Sequence, residues 1–164
     1  MVLTAIMLTF SNVLAPPVEK EIKNPYKFNF SRATEKTALA IKYIESRGHY
    51  ETKGLSGEFG AYQFRKKTWM KLSTKYYVIL CEKFPNREFD SICLPMTAEM
   101  QDLIAKIRIQ ELYDNGYNVH QIAAIWNCGS SNYKGKTGIN QFGIKYDVPK
   151  YVNKIVGKYN SIPD

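Results

Sequence analysis

The sequence predicts an α+β domain that is predominantly α-helical, with a minor β-hairpin. Three observations carry that expectation. Apolar residues recur at helical spacing in several separate stretches, from Thr34 to Tyr159. A turn-rich stretch, Gly48 to Gly60, interrupts them and has room for a small hairpin. The chain has 164 residues, 45 % of them hydrophobic and 23 % charged, which is enough for one domain with a real core and hardly for two.

Taken in order, residues 1–15 are apolar and end Val13-Leu14-Ala15, followed by Pro16-Pro17. This is short for a membrane span and fits the apolar region of a secretory signal or a signal anchor. No Lys or Arg precedes it, and Pro16 stands directly after the candidate cleavage site, both unusual for a signal. Residues 16–32 hold three prolines and mixed charge without a helical period, so a linker is expected. The domain is expected over 33–164. Its first helix runs from Thr34, as N-cap, to Ser46, with Ala38, Ile41 and Glu45 on one face and Leu39, Ala40, Tyr43 and Ile44 widening the apolar side. Gly48 is the expected stop. Thr68–Cys81 and Ala98–Leu112 read as helices; in the second, Met100, Leu103, Ile104, Ile107 and Leu112 form the buried face and Ile109 lies off it. Val119–Trp126 is a short apolar helix, 128–143 a loop rich in Gly, Ser, Asn and Lys, and Pro149–Tyr159 a closing helix with Pro in its first turn.

The net charge is +8, and the first eighteen residues carry no charged side chain, so the surplus belongs to the remainder. A basic surface concentrates polyanions, whether nucleic acid, anionic membrane or an acidic wall polymer, and argues against a Ca²⁺-binding role. Lys134, Lys136, Lys145 and Lys150 form a basic run of the kind that is commonly just a solvated face. Twelve Tyr, eight Phe and two Trp suit packing in a core or stacking on ring-shaped ligands; Trp69 is expected in the core and His49 on a surface loop. Of the three cysteines, Cys81 and Cys93 bracket a Pro-containing loop and could pair in an exported protein, leaving Cys128 as a free thiol. Without a Cys-x-x-Cys, and with His49 and His120 far from any paired Cys, no metal site and no cofactor are expected.

Four segments carry the chemistry: Glu45-Ser46; Gly60-Ala61-Tyr62-Gln63; Ile125-Trp126-Asn127-Cys128-Gly129; and Tyr151-Val152-Asn153-Lys154-Ile155. In order and spacing they resemble the motifs of the soluble lytic transglycosylase domain, in the goose-type branch of the lysozyme superfamily. The resemblance covers roughly 34–160. It departs from the family pattern where Tyr62 replaces Met, Trp126 replaces Tyr and Cys128 replaces Ala. It implies a lysozyme-like single domain that cleaves the β-1,4 bond between N-acetylmuramic acid and N-acetylglucosamine in peptidoglycan.

By that resemblance Glu45 is the catalytic acid and then the base, and the physics agrees. Desolvation on the inner face of a helix favours the neutral carboxyl that must donate a proton. Ser46 would orient Glu45 by hydrogen bonding, Gln63 and Asn127 would bind N-acetyl and hydroxyl groups, Tyr62 and Trp126 would wall the cleft, and Tyr151 would place its hydroxyl beside Glu45. One carboxyl suffices where the muramoyl 6-hydroxyl closes onto C1 to give a 1,6-anhydro end. Glu58, thirteen residues after Glu45, is a possible second carboxylate; aimed into the cleft, it would activate water and make the enzyme a hydrolase. Glu51 is a more distant candidate. Another class of reading is a wall-binding or structural protein that keeps the fold and has lost turnover. A nucleic-acid binder rests only on charge and aromatics, without a helix-turn-helix, RNA-binding sheet or zinc pattern. The expected setting is an exported monomer in the periplasm, wall or extracellular space, or associated with a virion. It would work on glycan strands, with transient wall or membrane association and no nucleic acid.

Overall fold

The computed structural model describes residues 29–85 and 96–164. The expected signal segment, nearly all of the expected linker and Cys93 lie outside the described residues. What is described is mostly helical, with six helices and two small antiparallel hairpins.

Helix α1 spans Arg32–Ser46. Its N-cap is Ser31 rather than Thr34: the Thr34 amide donates to Ser31 Oγ at 3.1 Å, satisfying one of the amide groups a helix start leaves open. Thr34 lies one turn inside and fully buried, its hydroxyl donating to Gln110 Oε1 at 2.8 Å. Ala38, Ala40 and Ile41 are buried as the period requires, whereas Leu39 and Tyr43 face outward, 43 % and 39 % exposed. Both Arg47 and Lys158 place their cations over the Tyr43 ring, which accounts for an exposed aromatic there.

Beyond α1, β1 (Glu58–Phe59) pairs with β2 (Phe64–Arg65), so the expected small hairpin forms, but its turn is the Gly60–Gln63 motif itself. The single helix expected over Thr68–Cys81 is two, α2 (Lys66–Lys75) and α3 (Tyr77–Lys83). At the break, the Tyr76 ring is buried and its hydroxyl donates to Glu111 Oε2 at 2.6 Å; Lys75 pairs with the same carboxylate at 2.7 Å. Helix α4 runs Ala98–Asp114, capped by Thr97. Ile109 is as buried as Ile104, because α4 is covered on more than one side.

Helix α5 (Val119–Cys128) opens with a capping box between Asn118 and Gln121. The stretch expected as a loop, 128–143, holds the first strand and turn of a second hairpin, β3 (Thr137–Ile139) with β4 (Lys145–Asp147) just beyond it. Asp147 then caps α6 (Val148–Ser161) by accepting from the Lys150 amide at 2.8 Å. Helix α6 packs on α1 and α5, and α1 on α4. Ile41, Ile104, Ile122, Val152 and Ile155 meet in one continuous core. That packing sets the last turn of α1 opposite the first turn of α6.

Candidate active site

Glu45 stands in the last turn of α1, partly buried, and Tyr151 in the first turn of α6. The Tyr151 hydroxyl donates to Glu45 Oε1 at 2.5 Å. Burial pushes the Glu45 carboxyl up to about 7; the Tyr151 hydrogen bond works against that rise and the negative charge of Glu58 adds to it. Burial and the neighbouring Glu45 hold the Tyr151 phenol well above its usual range, so it remains a donor. Glu45 therefore ionises near pH 7. Holding it charged in this place costs the fold about 3 kcal/mol, present above pH 7 and lost as pH falls toward the free carboxyl value.

The end of α1 is fixed to the motif that follows. The Ser46 hydroxyl lies 2.9 Å from the Ala61 carbonyl and 3.2 Å from Lys42 O, and it accepts from the Gly48 amide at 3.1 Å. The expected Ser46–Glu45 hydrogen bond is replaced by this tie: Ser46 is buried beneath the helix end and sets its position, not the rotamer of Glu45. Arg47 closes the helix in the left-handed region at φ 59°. Gln63 is also left-handed, at φ 49°. Its amide nitrogen donates to Gly60 O at 2.9 Å and Thr52 O at 3.2 Å. Those bonds hold a conformation that a residue with a Cβ rarely adopts, and they commit to the turn the Nε2 that would have met a ligand.

Tyr62 departs further from expectation. It is 1 % exposed, with its hydroxyl donating to Asp102 Oδ1 at 2.8 Å, so it leaves almost no surface for a substrate. Its ring packs against Phe64 and Trp126, and Phe64 against the buried Trp69, at centroid distances of 5.5 to 6.0 Å. Trp126 is half-buried, and its indole nitrogen donates to Tyr62 O at 3.2 Å. It can present the remaining ring surface to a ligand while holding the motif in place. Asn127, one residue on, is exposed, and its amide makes no hydrogen bond among the described residues.

Glu58 is occupied. Its Oε2 accepts from the Ser56 amide at 3.0 Å, its Oε1 pairs with Arg65 Nε at 3.2 Å, and its side chain is 19 % exposed. It acts on Glu45 through its charge. Glu51 and His49 are exposed loop residues.

Two residues on α4 that pattern reasoning passed over support the site. Gln101 is 1 % exposed; its Oε1 accepts from the Ala61 amide at 2.7 Å, and its Nε2 donates to Met96 O at 3.1 Å. Asp102 receives Lys42 at 3.2 Å and the hydroxyls of Tyr50 and Tyr62 at 2.8 Å each. The available signal was Gln101 itself, an amide sharing a helix face with Ile104 and Ala105. Cys81 and Cys128 are free thiols, and Cys93 falls outside the described residues. Among the described residues no group of three or more His, Cys, Asp or Glu could hold a metal ion, and no helix is long and apolar enough to cross a membrane.

The structure thus joins a carboxyl ionising near neutrality to a phenol that donates to it, while Trp126 is tied to the same Gly60–Gln63 turn as the end of α1 and Asn127 follows it, exposed, on α5. Comparison with known proteins adds nothing to this: no family model, no curated protein and no solved structure matches the chain.

Proposed function

We propose that the protein is a peptidoglycan lytic transglycosylase with a lysozyme-like fold, cutting the β-1,4 bond between N-acetylmuramic acid and N-acetylglucosamine. The observation that carries this reading is Glu45, a carboxyl raised to about 7 by burial with a phenol on one of its oxygens. Such a group is protonated often enough near neutrality to give its proton to a glycosidic oxygen, and is basic enough afterwards to take one back. In the first step Glu45 protonates the bridging oxygen, the C1–O bond breaks, and the substrate's own N-acetyl group supports C1. In the second, the Glu45 carboxylate accepts the proton of the muramoyl 6-hydroxyl, whose oxygen bonds to C1. A 1,6-anhydro end forms and Glu45 is again an acid.

Tyr151 keeps Glu45 aimed through both steps. Asn127 binds an N-acetyl or hydroxyl group, and Trp126 lies along a sugar ring. Gln63, Tyr62 and Ser46 hold the frame. The pairing of Glu58 with Arg65 and with the Ser56 amide supports the single-carboxyl route over activation of water. The reading places the protein outside the cytoplasm, as a monomer acting on the wall.

Clearing of purified wall suspensions by the wild type and by Glu45→Gln tests it. The substitution is expected to lower the rate by at least about 10³-fold, the scale of a lost acid and base. Equal clearing by the two proteins would remove Glu45 from the chemistry, and no clearing by the wild type would sink the enzymatic reading in favour of a wall-binding protein.

A further inference from the structure

The β3–β4 hairpin is unused by the chemistry above, and in the chain it lies between the helices that carry Trp126 and Tyr151. It follows α5, whose last turn holds Trp126 and Asn127, and its second strand finishes four residues before Tyr151. Its base is closed by the Val148 amide donating to Lys136 O at 3.0 Å. Both strands are exposed along their whole length.

The hairpin itself carries only Lys145 and Asp147, but the segment around it is one-sided in charge. Between Gly129 and Lys154 there are five lysines (134, 136, 145, 150 and 154) and one acid, Asp147. That acid is engaged as the cap of α6. Lys134, Lys145, Lys150 and Lys154 are exposed and enter no ion pair among the described residues. Exposed cations close in sequence and outside any ion pair attract a polyanion.

The apolar residues of the hairpin narrow the choice of partner. Ile139, Phe142 and Tyr146 are 64 %, 57 % and 43 % exposed. Ile139 pairs with Lys145, whereas Tyr146 pairs with Gly138 and lays its ring over it. Directly paired residues share a face and successive ones alternate, so Ile139 and Tyr146 point to opposite sides. A lipid surface requires its apolar contacts on one side, and the strand residues Ile139 and Tyr146 do not combine into one such face. An extended polymer passing the site meets lysines and separate apolar faces along its path, which suits sugar rings interspersed with carboxylates.

We infer that the β3–β4 hairpin, with the loop before it and the first turn of α6, is a binding rim for the carboxylate-bearing peptide stems of the glycan strand, with Lys134 in the loop, Lys145 in β4 and Lys150 in α6 as the charged contacts. This rests on the reading of the substrate as peptidoglycan. It names the part of that substrate the hairpin recognises.

The test uses the Glu45→Gln chain, so that binding is read without turnover, and adds Lys134→Gln, Lys145→Gln and Lys150→Gln together. Sedimentation is measured with three probes: intact sacculi, sacculi stripped of stem peptides by an amidase, and vesicles of three parts phosphatidylcholine to one part phosphatidylglycerol. The triple change is expected to weaken binding to intact sacculi about tenfold at low salt, the sum of three modest exposed pairs, and to flatten its salt dependence. It should leave binding to stripped glycan unchanged. The corresponding Arg triple should bind intact sacculi like the parent, and circular dichroism should show all variants folded alike.

Unaltered binding of the Gln triple to intact sacculi, or an equal loss on stripped glycan, would overturn the proposal. So would a parent that binds no sacculi, or one whose lysine-dependent binding is to the vesicles. Release of soluble fragments by the wild-type chain from the same sacculi is scored separately, so failure of the enzymatic reading is distinguished from failure of the rim.

Discussion

At the scale of single residues, the site turns on what burial and two neighbours do to one carboxyl. Burial raises Glu45, Glu58 raises it further by repulsion, and the Tyr151 hydroxyl opposes both by favouring the charged form. The first step of the proposed reaction needs the protonated acid, so activity should fall as pH rises through about 7. Tyr151→Phe removes the hydrogen bond that favours ionisation. Glu45 then stays protonated to higher pH, and the alkaline limb of the rate profile should move upward. The same change loosens the carboxyl, with a loss of about tenfold or more in rate at pH 6, the scale of one charge-assisted hydrogen bond. Glu58→Gln removes repulsion instead and should move the limb downward while leaving turnover largely intact. A pH–rate series on the three proteins checks both signs, and limbs that shift together or not at all would contradict this account of Glu45.

Elements supply the precision that those residues need. The Gly60–Gln63 turn is held from α4 by Gln101, from α1 by Ser46 and from α5 by Trp126. Gly60 sits at φ 82°, and a Cβ there would lie 2.8 Å from the amide carbon of Gln101 and 3.1 Å from its nitrogen. Gly116 has the same φ of 82° with open space around it. Gly116→Ala therefore pays only for the left-handed backbone, about 1 kcal/mol. Gly60→Ala adds a clash with a buried amide and should cost about 3 kcal/mol. Urea unfolding of the two variants isolates the difference; equal losses would show that the α4 clamp does not bear on the turn.

How much of this was legible in the sequence follows from the same contacts. Period and capping placed α1, α4, α5 and α6 to within a few residues, because each buries a face wide enough to leave a trace. The break at Tyr76 and the β3–β4 hairpin left none: the first depends on a hydroxyl reaching Glu111 across the fold, the second on exposed strands with no apolar alternation. Glu45 with Tyr151, and Trp126 beside Asn127, were legible as motifs. The inward roles of Tyr62, Gln63 and Ser46 were not, since their partners are backbone carbonyls and Asp102, which no local pattern marks.

On the scale of the whole molecule, the helices exist to bring two ends together. Helix α1 carries the acid, α6 the phenol, and α5 the amide and indole, while α4 lies behind and fixes the turn between them. The single carboxyl at that meeting point, with its acidic neighbour tied to Arg65, is the basis for choosing the sugar's own hydroxyl over water as the second reactant. Mass spectrometry of muropeptides released from purified peptidoglycan by the wild-type chain measures that choice directly. The account predicts 1,6-anhydromuramoyl ends, absent from the Glu45→Gln digest; reducing ends in their place would contradict it and put Glu58 into the mechanism.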